Sequence, residues 1–316
     1  FMKKTIIFGF KYSYICPNYI CMQFLVYILV YPLLWLISIL PFRLFYFFSD
    51  FVFIILYHVV GYRKKVVNEN ITRAFPNKSK EEIAKIQKDF YHHMCDMFLE
   101  MVKTLNLSKE ELKERYKIVN IEVLQEIVKD KSVLIVCSHY ANWEWNVSIN
   151  NYVNAKGYAV YQKIGNSYFD NLIKKIRAKW NTTLITQQET VKTVYRNVQD
   201  GIIAAYGMVS DQSPQVKRAQ YWSEFMGVKV PIFNGPESMS RKLDLAVVFL
   251  KVSKVKRGYY KAEFIPITTA GKQTKKNEIT DQFLRLTEQQ IIERPEYYLW
   301  THKRWKHRNK VPSEFQ

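Results

Sequence analysis

The chain has 316 residues, more than one average domain and less than two comfortable ones, and its 48% apolar content is ample for a core. Its formal net charge of +19, from 47 Lys+Arg against 28 Asp+Glu, speaks to anionic partners (nucleic acid, anionic lipid or an acidic carrier protein) and not to fold. The four cysteines, Cys16, Cys21, Cys95 and Cys137, lack CxxC spacing, so neither a disulfide framework nor a zinc site is implied, and reduced thiols facing the cytoplasm are expected.

Residues 1–21 resemble neither a targeting signal nor a folded unit. Phe1 precedes Met2, and Met22 is a candidate natural start. The charges of Lys3, Lys4 and Lys11 favour that idea, because they oppose the orientation argued next. Residues 24–42, FLVYILVYPLLWLISILPF, carry no charge, and at about 1.5 Å per residue they nearly span a hydrocarbon core of roughly 30 Å. Pro32 predicts a kink in this helix and Pro41 its end. A second apolar tract, residues 44–60, contains Asp50 and His58, and suits re-entry into the membrane, the interface, or packing on the following domain. Arg43 and Arg63-Lys64-Lys65 follow the first tract, so the positive-inside rule predicts one crossing, with everything after it in the cytoplasm. No small-residue cleavage site follows, which disfavours a cleaved signal peptide. The expected organisation is an extension over 1–21, a membrane anchor or interfacial segment over 22–65, and a cytoplasmic domain over 66–316.

Ser79-Lys80-Glu81-Glu82 fits a capping box, and Ile83, Ile86, Phe90, Met94, Met97, Phe98 and Met101 recur close to helical spacing, predicting a helix to about residue 105. Shorter helices are expected over 110–115 and 122–129. From Ser132 the pattern changes. Strands are predicted over 133–137, 159–162, 183–186, 202–208, 246–251 and 259–266, alternating with helices over 143–155, 168–180, 189–200, 237–243 and 279–293. This alternation predicts an α/β fold, a mainly parallel mixed sheet flanked by helices. Ligands of such sheets bind outside the carboxyl ends of the strands.

The run Val133-Leu134-Ile135-Val136 delivers Cys137-Ser138-His139-Tyr140-Ala141-Asn142-Trp143-Glu144-Trp145 to that edge. On a regular helix, five positions rotate by about 500°, leaving His139 and Glu144 about 140° apart. They pair only if His139 lies on the strand-to-helix turn, which suits a general base oriented by a carboxylate. The plainer reading has His139 capping the helix and Glu144 facing solvent. Asp211, in Ser210-Asp211-Gln212-Ser213-Pro214, follows another predicted strand, and faces the same crevice or simply makes a turn. Asn166 to Arg177 joins a polar turn to a basic helix carrying Lys174, Lys175 and Arg177, suited to phosphate or to a solvated face. Tyr297 to Arg308 interleaves aromatics with cations, as a membrane interface or a single-stranded nucleic acid would require.

Taken together, HYANWE, YFDNLIKKIR, SDQSP followed by Phe225-Met226-Gly227, and PEYYLWTHKRWK resemble the late acyltransferases of bacterial lipid A biosynthesis, the lauroyl/myristoyl transferase group of the wider lysophospholipid acyltransferase superfamily. Asn68 to Pro76 adds a fifth similar block, and the resemblance spans roughly residues 22–308 in the same order. There are departures: Ala141 stands where the family usually has Gly, the Arg-Pro-rich segment is reduced to Tyr161-Gln162-Lys163-Ile164-Gly165, and Val230 to Glu237 replaces a threonine and a second glycine.

The resemblance implies a glycerol-3-phosphate acyltransferase-like α/β domain behind a membrane helix. It also implies O-acyl transfer from acyl carrier protein or acyl-CoA to a lipid A precursor, with no metal and no other cofactor, at the cytoplasmic face of the bacterial inner membrane. His139 would be the base and Glu144 its orienting carboxylate, with no acyl-enzyme. Backbone N–H groups at the start of the next helix would meet the oxyanion. Arg177, with Lys174 or Lys175, would hold an acceptor phosphate, and Asp211 would orient a basic residue or the sugar. Asn142 is counted with the substrate-binding residues, and Arg304 with Lys306 would contact membrane or headgroup. The rival readings are the same chemistry on an amino-acid lipid or a lysophospholipid, and a non-catalytic basic protein binding membrane or nucleic acid. The apolar N-terminus disfavours nucleic acid.

Overall fold

The computed structural model describes residues 17–315, and the expectations for residues 1–16 lie outside the described residues. Helix α1 (Pro17–Ile39) continues through Pro32 and stops before Pro41. α2 (Phe42–Ile54) widens into a π-helical turn, Ile55–Val60, and ends at Gly61, whose φ of 62° carries no Cβ penalty. Two stretches, Cys21–Ile39 and Phe42–Val60, are long and apolar enough to cross a membrane.

Their surroundings differ. α1 exposes apolar side chains around much of its circumference, among them Leu25, Ile28, Leu29, Leu33 and Leu36. α2 buries Phe45, Ser49 and Phe53 and exposes Leu44, Phe47, Phe51 and Ile54, the spacing of two opposite helix faces. Charge pins the buried face: Arg257 donates to Asp50 (2.6 Å) and to Asp96 (2.7 Å), His92 lies 2.8 Å from Asp50, and Ser49 donates to Asp96 at 2.8 Å. The tract therefore packs on the domain through one face and leaves an apolar stripe outside.

α3 (Lys64–Ala74) precedes α4 (Lys80–Lys103), which opens with the expected capping box: Glu82 N–H donates to Ser79 Oγ at 3.2 Å, and Ser79 N–H to Glu82 at 2.8 Å. There follow α5 (Lys109–Arg115), β1 (Tyr116–Ile118), α6 (Ile121–Asp130) and β2 (Val133–Cys137). A 3-10 helix, Trp143–Asn151, stands where a longer α-helix was expected. The chain continues through β3 (Lys156–Tyr161), α7 (Ser167–Ala178), β4 (Thr182–Thr186), α8 (Gln187–Gln199) and β5 (Ala204–Val209). The hairpin β6 (Trp222–Phe225) and β7 (Val228–Pro231) turns through Met226 and Gly227, at φ 51° and 72°. Two consecutive positive φ values match the twist of the paired strands. α9 (Gly235–Leu243), β8 (Ala246–Lys256), β9 (Tyr259–Thr268) and α10 (Glu278–Glu293) complete the domain.

The fold is the expected mixed α/β one. Seven strands pair in the order β1-β9-β8-β2-β5-β3-β4, all parallel except β8 with β9. β2 lies between β8 and β5, and all five of its residues are buried. That is why its sequence is continuously apolar and not alternating. Burying Leu134, Ile135 and Val136 stabilises the sheet by about 1.5–3 kcal/mol each. The consequence for function lies in the register: Cys137, the last residue of β2, stands opposite Val209, the last of β5.

Candidate active site

Beyond the two strand ends, Ser210 N–H still donates to the Cys137 carbonyl at 3.0 Å, and the next step brings His139 beside Asp211. The ring Nδ1–H donates to Asp211 Oδ1 at 2.7 Å, and the same oxygen accepts the His139 backbone N–H at 3.1 Å. An ionised carboxylate only accepts, so the proton sits on Nδ1 and the lone pair on Nε2. Gln212 fits that tautomer: its amide nitrogen, a donor only, lies 3.4 Å from Nε2. Trp143 meets the imidazole nearly edge-on, with centroids 5.1 Å apart. The imidazole is 19% exposed and Asp211 only 2%, so the carboxylate is dry and the base open.

Burial alone would lower the His139 pKa. The charge and hydrogen bond of Asp211, helped by the charge of Glu144, raise it above its ordinary value. Asp211 is the mirror case: burial pushes its pKa up, but the His139 charge and hydrogen bonds hold it below the usual carboxylate range.

The backbone around His139 is clamped by the C-terminal segment. Leu299 N–H donates to the His139 carbonyl and Ala141 N–H to the Tyr297 carbonyl, each at 3.0 Å, around an antiparallel bridge between Tyr140 and Tyr298. Ala141 is fully buried at φ 51°, a left-handed conformation. Glycine adopts it freely, which is the physical reason for a glycine in the similar family; the alanine methyl adds strain of about 1 kcal/mol. His93 supports the strained residue, its Nε2 3.4 Å from the Ala141 carbonyl and its Nδ1 3.2 Å from Lys254 Nζ.

Several expected roles change. His139 does lie on the turn ahead of the helix, yet Asp211 makes the Nδ1 bond assigned to Glu144. The left-handed turn at Ala141 starts the 3-10 helix at Trp143, and Glu144 in its first turn reaches α7, accepting from Arg177 Nη2 at 2.6 Å. Of the two partners expected for Asp211, a basic residue or a sugar, the structure shows the first, His139. Asn142 is fully buried and spent on structure: its Oδ1 caps Trp145 N–H at 3.1 Å and its Nδ2 donates to Glu100 at 2.7 Å. That Glu100 carboxyl is pushed up to about 7 by burial and the nearby Asp96 charge.

Lys174 pairs with Asp170 at 2.7 Å, and Arg177 is the cation nearer the site, through Glu144. Arg304 is 1% exposed, so it faces no headgroup. Its Nη1 donates to Ser213 Oγ (3.0 Å) and the Pro231 carbonyl (3.2 Å), and its guanidinium lies 4.9 Å from the Phe225 ring centre. The aromatic-cationic ending is thus largely internal at its core, with Trp300 and Trp305 also buried. Gln212 and the clamp by Tyr297 and Leu299 had no assigned role in the sequence. The expected strands over 133–137 and 202–208, each ending shortly before His139 or Asp211, were the available signal for the pairing. Among the described residues, no group of three or more His, Cys, Asp or Glu side chains converges as a metal site would.

These parts place the molecule among the α/β enzymes that work from the carboxyl edge of a mainly parallel sheet. The sequence narrows that class. Residues 8–307 match the family described as bacterial lipid A biosynthesis acyltransferase, and the chain belongs to that family. It is an acyltransferase of lipid A biosynthesis. No curated protein matches it at a significant level.

Proposed function

We propose that His139 is the general base that activates a hydroxyl of a lipid A precursor towards an acyl thioester carried by acyl carrier protein or coenzyme A. The observation that carries this reading is the Nδ1–H bond to Asp211, which leaves the Nε2 lone pair at the open edge of the sheet. The hydroxyl proton moves to Nε2 as its oxygen bonds to the thioester carbon. The tetrahedral intermediate then collapses with loss of the C–S bond, and the thiolate takes the proton back from the imidazolium. Asp211 fixes the tautomer and stabilises the charged ring. No acyl-enzyme is needed. Cys137, at the end of β2, supports this: burial and then the Asp211 charge push its thiol up to about 12, far from a reactive thiolate.

Arg177 is the residue assigned to an anionic group of the acceptor. Glu144 takes one of its five N–H donors and fixes the plane of the guanidinium, and the other donors suit a phosphate. Glu144 is therefore a positioning residue for Arg177 that also adds charge near His139. α1 and the outer stripe of α2 suit insertion into the inner membrane, with Arg43 and Arg63-Lys64-Lys65 at its cytoplasmic face. The +19 charge suits both anionic lipid and an acidic carrier protein.

The test is acyl transfer by purified protein in lipid vesicles, supplied with acyl carrier protein loaded with a fatty acid and with a lipid A precursor. His139→Ala is expected to lower kcat by about 10²–10⁴-fold with the fold intact by circular dichroism. Normal turnover by His139→Ala would overturn the proposal.

A further inference from the structure

An acyl transfer of this kind needs a donor for the oxyanion that forms on the attacked carbonyl. Backbone N–H groups after His139 are one source, and three of them are already committed. Tyr140 N–H donates to the Ser138 carbonyl at 2.8 Å, Ala141 N–H to the Tyr297 carbonyl at 3.0 Å, and Trp145 N–H to Asn142 Oδ1 at 3.1 Å.

A side-chain donor stands closer to the reacting nitrogen. The Gln212 amide nitrogen rests 3.4 Å from His139 Nε2, and its side chain is half-buried, accessible from the site. Both neighbours of Gln212 are fixed. Asp211 is held by two bonds from His139, and Ser213 is stapled to Arg304, its Oγ donating to the Arg304 carbonyl at 2.6 Å and accepting from Nη1 at 3.0 Å. The backbone of Gln212 is therefore preorganised.

A substrate hydroxyl must approach Nε2 to about 2.6–3.2 Å to give up its proton, and it takes the lone pair on which the Gln212 amide rests. The displaced amide, with two N–H donors, is then beside the new carbon–oxygen bond, where the carbonyl oxygen gains its charge. A neutral carboxamide suits this place: it supplies donors without a cation that would discourage protonation of the neighbouring imidazole.

We propose that Gln212 is a catalytic residue of the acyl transfer, its side-chain amide leaving His139 Nε2 when the acceptor hydroxyl binds and donating to the oxyanion of the tetrahedral intermediate. This rests on His139 being the base. No atoms or electrons are added to the reaction; the amide gives a hydrogen bond and keeps its protons.

The test compares kcat and KM of wild type, Gln212→Met, Gln212→Glu and His139→Ala in the vesicle assay with loaded acyl carrier protein and a lipid A precursor. Gln212→Met is expected to lower kcat by about 10²–10³-fold, with KM for both substrates nearly unchanged. The acid limb of its pH profile should also move to higher pH, because the neutral imidazole loses a donor to its lone pair. Gln212→Glu keeps shape and polarity but is an acceptor at neutral pH, and is expected to lose at least as much kcat. If either variant, folded by melting temperature, turns over like wild type or faster, Gln212 only rests on the base and the proposal fails, provided His139→Ala is inactive. Normal turnover by His139→Ala would instead remove the reading on which the proposal depends.

Discussion

One carboxylate oxygen of Asp211 takes both the ring and the backbone N–H of His139, so this residue sets where the imidazole points and which nitrogen is free. Asp211→Asn keeps the shape and removes the charge. It is expected to lower kcat by about 10³–10⁴-fold, as the ring turns or adopts the other tautomer. The proposed mechanism requires the neutral imidazole. Because the His139 pKa is raised, kcat/KM should climb as pH rises through that raised value and be low beneath it. In Asp211→Asn the raising charge is gone and burial dominates, so the acid limb of the residual activity should move to lower pH. A pH–rate profile of both proteins checks this, and an unmoved limb would contradict it. At this scale the candidates His139, Asp211 and Arg177 could be picked out in the sequence, but their wiring could not. Which carboxylate meets His139 depends on a strand register and on the left-handed φ at Ala141, and residue spacing encodes neither.

The same limit holds for elements. The strands were legible because β2, β5 and the first half of β8 are apolar runs and β9 alternates buried with more exposed residues, and α4 because its capping box and spacing agree. β1, with three residues, is too short to show a period, and the β6–β7 hairpin turns on Met226, a residue with no preference for positive φ. The placement of α2 was not legible, since the residue that pins it, Arg257, belongs to the β8–β9 turn near the other end of the sequence. Arg257 bridges Asp50 to Asp96, and Asp96 is fully buried. Arg257→Met should leave that carboxylate with Lys254 at 3.6 Å and the His92 ring at 3.9 Å. We expect a loss of about 2–3 kcal/mol, less than for a fully enclosed pair because the Arg257 side chain is 31% exposed. Chemical denaturation in detergent measures it, and a change below about 1 kcal/mol would show that α2 does not depend on this bridge.

At the scale of the whole molecule, α1 and the outer face of α2 form the surface that suits lipid. Spin labels placed at Phe47 and Phe51, both exposed, should be accessible to oxygen in the bilayer and shielded from a water-soluble relaxer. A label at Phe53, 7% exposed, should be shielded from both. Ready access of the water-soluble relaxer to positions 47 and 51, or oxygen access at 47 no greater than at 53, would contradict this orientation. In the proposed mechanism His139 and Asp211 serve the addition of an acyl chain to a lipid A precursor. Its most direct test is mass spectrometry of lipid A from a host lacking this protein and from the same host carrying either wild type or His139→Ala. The deletion is expected to lose the mass of one acyl chain, restored by wild type and not by His139→Ala. An unchanged lipid A in the deletion, or full restoration by His139→Ala, would contradict it.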